Sequence, residues 1–270
     1  MKKVAFFVEG PTEAFFIRSL LTELVTQQRI RFVECDLKGG SEGNPRVISI
    51  LAEDILNPQQ QYQINIYTCN ADNHVNQDVI ENLPTLQREG FTRVIALKDL
   101  RGDYKGIDGM MHAHVPTDYP QQKSIQSLIF RNSPILVTSI IAVMEIETWF
   151  LSETTHYERI NSKLTQALIT ANRSSLGADP FVDDMEQVLK PAELLNDIYQ
   201  LVRLNYSKKK SVREHTISKL DMAEIYFQLP DKLASLKELT QAIDSFCSKA
   251  IGLVGEKRDI GTCVKCPELV

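Results

Sequence analysis

The first half of the chain alternates short apolar runs, rich in β-branched and aromatic residues, with longer amphipathic stretches. That is the pattern of strands joined through helices into a largely parallel sheet. Strands are predicted near 3–8, 30–35, 63–68, 92–98 and 134–143, and helices at 12–28, 45–56, 76–89 and 121–131. The first helix carries Phe15, Phe16, Leu20, Leu21, Leu24 and Val25, whose spacing makes one apolar stripe. From about residue 153 the strand signal fades, and helices are predicted near 155–172, 181–188, 191–204, 211–227 and 231–250. The expected organisation is an α/β domain over 1–152, with helices flanking the sheet, and a smaller helical region over 153–270 that completes or caps its site.

Loops at the carboxyl ends of parallel strands are where α/β sheets place ligands, and here three such ends carry acids. The first strand runs into Glu9-Gly-Pro-Thr-Glu13, the fourth into Asp99-Leu-Arg-Gly-Asp103, and the fifth into Met144-Glu-Ile-Glu-Thr-Trp-Phe-Leu151. Gly10 lets the backbone turn, Pro11 suits a first helical turn, and Glu13 lies one turn beyond Glu9. Glu145 and Glu147 share a side if the chain is extended there, and separate if it is helical. Read alone, Glu13 is equally a helix-start acid and Asp99 a loop or capping residue. Their conjunction at separate strand ends points instead to Mg²⁺ or Mn²⁺, hard cations that take oxygen ligands.

Composition narrows the class without naming a substrate. Hydrophobic residues at 43% and charged residues at 24% are ordinary for a globular chain, and the net charge of −5 does not advertise a nucleic-acid binder. The five cysteines are odd in number and scattered, which argues for a reducing cytoplasm rather than a disulfide framework. The apolar run Val4–Val8 stops at Glu9, so it reads as a buried strand and not a signal peptide or membrane span. Cys263-Val-Lys-Cys266 has the spacing of half a zinc knuckle but no second pair nearby. His112 and His114, in the loop after Asp99 and Asp103, could both ligate a metal if that segment is extended, although polar loop histidines more often go without a ligand. Lys208, Lys209 and Lys210, with Arg203, Arg213, His215 and Lys219, form the densest basic segment. It reads either as a solvated helix start or as a track for a phosphate backbone. No phosphate loop or dinucleotide fingerprint is present.

Val8-Glu-Gly-Pro-Thr-Glu13 resembles the first motif of TOPRIM domains in overcoming-lysogenization-defect-like nucleases. Ala142-Val-Met-Glu-Ile-Glu-Thr-Trp-Phe-Leu151 is similar to the glutamate-rich, Trp-containing segment of small stand-alone bacterial TOPRIM-like proteins. The resemblance covers about residues 1–151 and reaches more loosely to Tyr206-Ser-Lys-Lys-Lys210. It implies a TOPRIM-like sheet and a cytoplasmic Mg²⁺- or Mn²⁺-dependent nuclease serving defence against phage. Glu9 matches the family's first glutamate and Asp99 the first of its aspartate pair. Arg101 stands where the second aspartate is expected, and the next acid is Asp103.

The residues expected to hold metal are Glu9, Glu13, Asp99, Asp103, Glu145 and Glu147, with Glu9, Asp99 and Lys208 catalytic. Lys98, Arg101, Lys209, Lys210 and Arg213 are expected to contact DNA or RNA. A separate ATPase or sensor protein is the partner that the resemblance implies, and self-association is left open. The rival reading is a non-catalytic binding or regulatory subunit, motivated by Arg101, and a third is a phosphoesterase acting on a small nucleotide.

Overall fold

A computed structural model describes residues 1–25, 29–40, 46–70, 74–105 and 110–247, with backbone only at 103–105. Strand β1 (Lys2–Val8) is followed by helix α1 (Pro11–Leu24), then by strands β2 (Ile30–Lys38), β3 (Val47–Glu53) and β4 (Tyr62–Thr68), helix α2 (Val75–Arg88) and strand β5 (Arg93–Asp99). A short hairpin, β6 (Asp103–Lys105) and β7 (Met111–Ala113), precedes α3 (Tyr119–Ile129) and β8 (Leu136–Ala142). The main sheet has six strands in the order β3-β2-β4-β1-β5-β8. All neighbours are parallel except β3 against β2. The chain is therefore an α/β protein with a mostly parallel sheet flanked by helices.

Both faces of the central strands are covered, which is why they read as continuous apolar runs. Val4, Phe6 and Val8 of β1 pack with Phe16, Ile17, Leu20 and Leu21 of α1, while Ala5 and Phe7 pack with Val75, Val79 and Leu86 of α2. The first of these cores continues without a break into the helical region, through α4 (Glu147–Ser152), α8 (Pro191–Gln200), α10 (Met222–Phe227) and α11 (Ala234–Phe246). Trp149 and Phe150 each lie 5.7 Å from the Phe16 ring, and Trp149 Nε1 donates to Ser235 Oγ at 2.9 Å. Burying each such side chain contributes roughly 1.5–3 kcal/mol.

Four sequence expectations need correction, the first being the helix predicted near 181–188, where only a 3₁₀ turn at Met185–Gln187 forms. The helix predicted at 45–56 is the edge strand β3. Val47, Ile50 and Leu51 are spaced like a helical stripe, yet every residue of β3 is exposed and, among the described residues, its only ladder is to β2. With neither face buried, no two-residue alternation marks it as a strand. The helix predicted at 155–172 is α5 (His156–Ile160) followed by α6 (Gln166–Ala171) and α7 (Arg173–Leu176). The helix predicted at 211–227 breaks into α9 (Lys210–Ile217) and α10, because Asp221 accepts from Ala223 N and Glu224 N and starts a new helix. The Cys263–Cys266 pair, residues 41–45 and the Asp103 side chain lie outside the described residues. Among those described, no helix is long and apolar enough to cross a membrane.

Candidate metal centre

The chain leaves β1 through α1 toward β2 and leaves β5 in the opposite direction toward β8, so the adjacent ends of β1 and β5 form a topological switch point. Such a crevice is where open α/β sheets bind ligands. Glu9 and Asp99 line it. The pairing of Val8 with Leu97 sets them side by side, and Glu9 Oε2 accepts from Asp99 N at 2.9 Å. Pro11 begins α1, and Glu13 one turn later folds its carboxylate back onto Gly10 N at 2.8 Å.

The Glu145/Glu147 pair is neither extended nor wholly helical. β8 ends at Ala142, Met144 turns through a left-handed φ of 61°, and Glu147 opens α4. A non-glycine residue held there carries backbone strain, and strain of this kind collects at functional sites. The turn brings both acids to one cation: Lys208 Nζ lies 3.2 Å from Glu145 Oε1 and 3.7 Å from Glu147 Oε1. Asp99 Oδ1 fixes the same turn by accepting from Ile146 N at 3.1 Å.

The helical region supplies the rest. Tyr206 OH donates to Glu147 Oε1 at 2.7 Å, and Ala192 N at the start of α8 donates to Glu145 Oε2 at 3.2 Å. Arg213 does not reach the acids. Its Nη1 donates to Lys208 O at 3.0 Å and so braces the lysine's backbone. Lys209 and Lys210 are exposed at the start of α9. Arg101 pairs with Glu145 at 2.8 Å, and Lys98 is half-buried on β5. Sequence reasoning gave no role to Tyr206; its place two residues before Lys208 was the available signal.

Charge crowding is written in the ionisation of these groups. Burial lifts the Asp99 carboxyl well above the usual range, and Glu13, Glu9 and Glu147 lift it further. Burial likewise raises Glu13, and it raises Glu147 to about 7 against the pull of Lys208. Burial alone would lower Lys208, but Glu147, Glu145, Asp99 and Glu13 outweigh it and hold the ammonium above its ordinary value. One carboxylate oxygen, Glu147 Oε2, is buried with no hydrogen-bond partner.

Glu9, Asp99, Glu145 and Lys208 open onto a cleft of about 630 Å³, lined also by Ala113 at the end of the hairpin and by His114 and Val115 that follow it. The donor set fits a hard divalent ion in kind, being all oxygen, and in charge, with five carboxylates against Lys208 and Arg101. Its present arrangement serves Lys208 and backbone N–H groups instead: among the described residues no three metal-binding side chains converge on one point. No protein-family model, curated protein or solved structure matches this chain.

Proposed function

We propose that the cleft is the active site of a Mg²⁺- or Mn²⁺-dependent nuclease with a TOPRIM-like sheet, hydrolysing a phosphodiester of DNA or RNA. The observation that carries this reading is the Asp99 carboxyl. It sits at the switch point, and three other acids, Glu9 and Glu13 from the β1–α1 turn and Glu147 from α4, push its ionisation in one direction. A divalent ion relieves that repulsion, and Glu9, Glu13, Asp99 and Glu147 are the residues that would hold it. When bound, the ion supplies polarisation of a phosphoryl oxygen. Lys208 and Arg101, already drawn into the cleft by Glu145, offer positive charge to the phosphate. Tyr206 and the α8 N-terminus keep Glu147 and Glu145 oriented while the substrate binds. Through the sequence resemblance alone, the proposal extends to phage defence beside a separate ATPase.

The test is Mn²⁺ titration by calorimetry of the full chain and of Asp99→Asn and Glu9→Gln, followed by cleavage assays on DNA and RNA. Binding and cleavage by the parent chain, lost in both variants without loss of the folded state, are expected. Retained cleavage in both would sink the assignment. A second reading, a binding subunit without turnover, is favoured by one observation: Arg101 and Lys208 already neutralise Glu145. Under it, nucleic acid binds but no divalent ion produces cleavage.

A further inference from the structure

The hairpin β6–β7 carries a histidine to the cleft from outside the segments that bear Glu9, Glu13, Glu145 and Glu147. Its stem is fixed where His114 N donates to Gly102 O at 3.1 Å. His114 lines the same cleft as Glu9, Asp99 and Lys208. Its side chain is 17% exposed, and Nδ1 lies 3.3 Å from Asp118 Oδ2. Asp118 is itself anchored, because the same oxygen accepts from Val115 N at 3.0 Å. That backbone bond is the first cause holding its carboxyl below the usual range, with His114 contributing to the same effect. A carboxylate fixed against Nδ1 sets the ring orientation, the arrangement by which proteins orient a histidine for proton transfer.

Resting on the phosphodiesterase reading, we infer that His114 is the general acid of this site and that Asp118 is its positioning residue. Water's oxygen forms the new bond to phosphorus as the bond to the leaving oxygen breaks. The Nε2 proton passes to that leaving oxygen, and the water's proton passes to solvent, from which the imidazole is reprotonated. The products are a phosphomonoester and an alcohol. Lys208 does not serve as this acid, since Glu145 and Glu147 hold its protons.

Leaving-group chemistry separates this role from a structural one. An oligonucleotide linkage needs a proton on its departing oxygen; thymidine 5′-(p-nitrophenyl phosphate) expels a stable phenolate without one. With the full chain in Mn²⁺, His114→Gln should lower turnover of the oligonucleotide by about 10²–10⁴-fold and leave the aryl ester nearly unchanged. Asp118→Asn should show a smaller loss with the same split. Equal losses on both esters, or none, overturn the inference while the nuclease reading stands. A parent chain that cleaves neither ester overturns both. A metal-free readout is independent of turnover: a saturating oligonucleotide should slow acylation of His114 by diethyl pyrocarbonate, followed by peptide mass. His114 modified at the same rate with and without oligonucleotide counts against it, whatever the fate of the variants.

Discussion

The Lys208 ammonium lies 3.7 Å from Glu147 Oε1, a half-exposed cation set against a carboxylate with no exposed surface. The lysine stands where the local charge calls for a cation, so its removal should be felt by the whole acidic group. Lys208→Met is expected to destabilise the metal-free protein by about 1–2 kcal/mol, less than a fully buried pair because the lysine reaches solvent. Chemical denaturation should show a larger loss at pH 8 than at pH 5, since Glu147 is ionised only at the higher pH. Equal losses would mean that Lys208 does not neutralise Glu147.

Stability of the metal-free protein should fall as pH rises. The folded-state value of Glu147, about 7, lies above its ordinary 4.5, so the folded chain binds more protons between those limits. Its contribution is complete below about pH 4.5 and is lost as pH passes through 7, amounting to ~3 kcal/mol for this group. Asp99 and Glu13 are shifted in the same direction. Thermal melts from pH 5 to pH 8 should therefore show a declining Tm, and Mn²⁺ should raise Tm most at pH 8. A flat profile would remove the argument for crowded carboxyls.

Tyr206→Phe deletes the donor to Glu147 Oε1 while Oε2 already lacks one. Leaving that buried acceptor short should cost about 1–3 kcal/mol, measured by urea unfolding. A neutral result would show that water or Lys208 takes the hydroxyl's place.

Arg101→Ala should weaken nucleic-acid binding about equally across sequences and make its salt dependence shallower by roughly one unit of log–log slope, the signature of one lost phosphate contact. Fluorescence anisotropy at several salt concentrations measures this. An unchanged slope would confine Arg101 to its pair with Glu145.

The parts of the molecule legible in sequence were those buried on both faces. β1, β4, β5 and β8 stand within a few residues of their predicted bounds because apolar runs of strand length, bounded by turns, have few other homes. Glu9 and Asp99 were readable because each ends such a run. β3 was not, since an exposed edge carries no burial pattern and its apolar spacing imitates a helix. The meeting of Glu145 and Glu147 at Lys208 depends on the left-handed turn at Met144, a residue whose chemistry does not announce that conformation. The approach of His114 to the cleft depends on the short β6–β7 ladder, too brief to leave a periodic signal.

α4 has two allegiances. Its first residue, Glu147, faces Lys208 and Tyr206, while Trp149, Phe150 and Leu151 sit in the core shared by the sheet and the helical region. A fragment ending at 152 would leave those three side chains without the helical half of their core, Ser235 of α11 included, and would strip Glu147 of both its cation and its donor. Folding and the acidic cleft are thus tied to one short segment: loosening the helical region takes apart the carboxylate arrangement around Lys208.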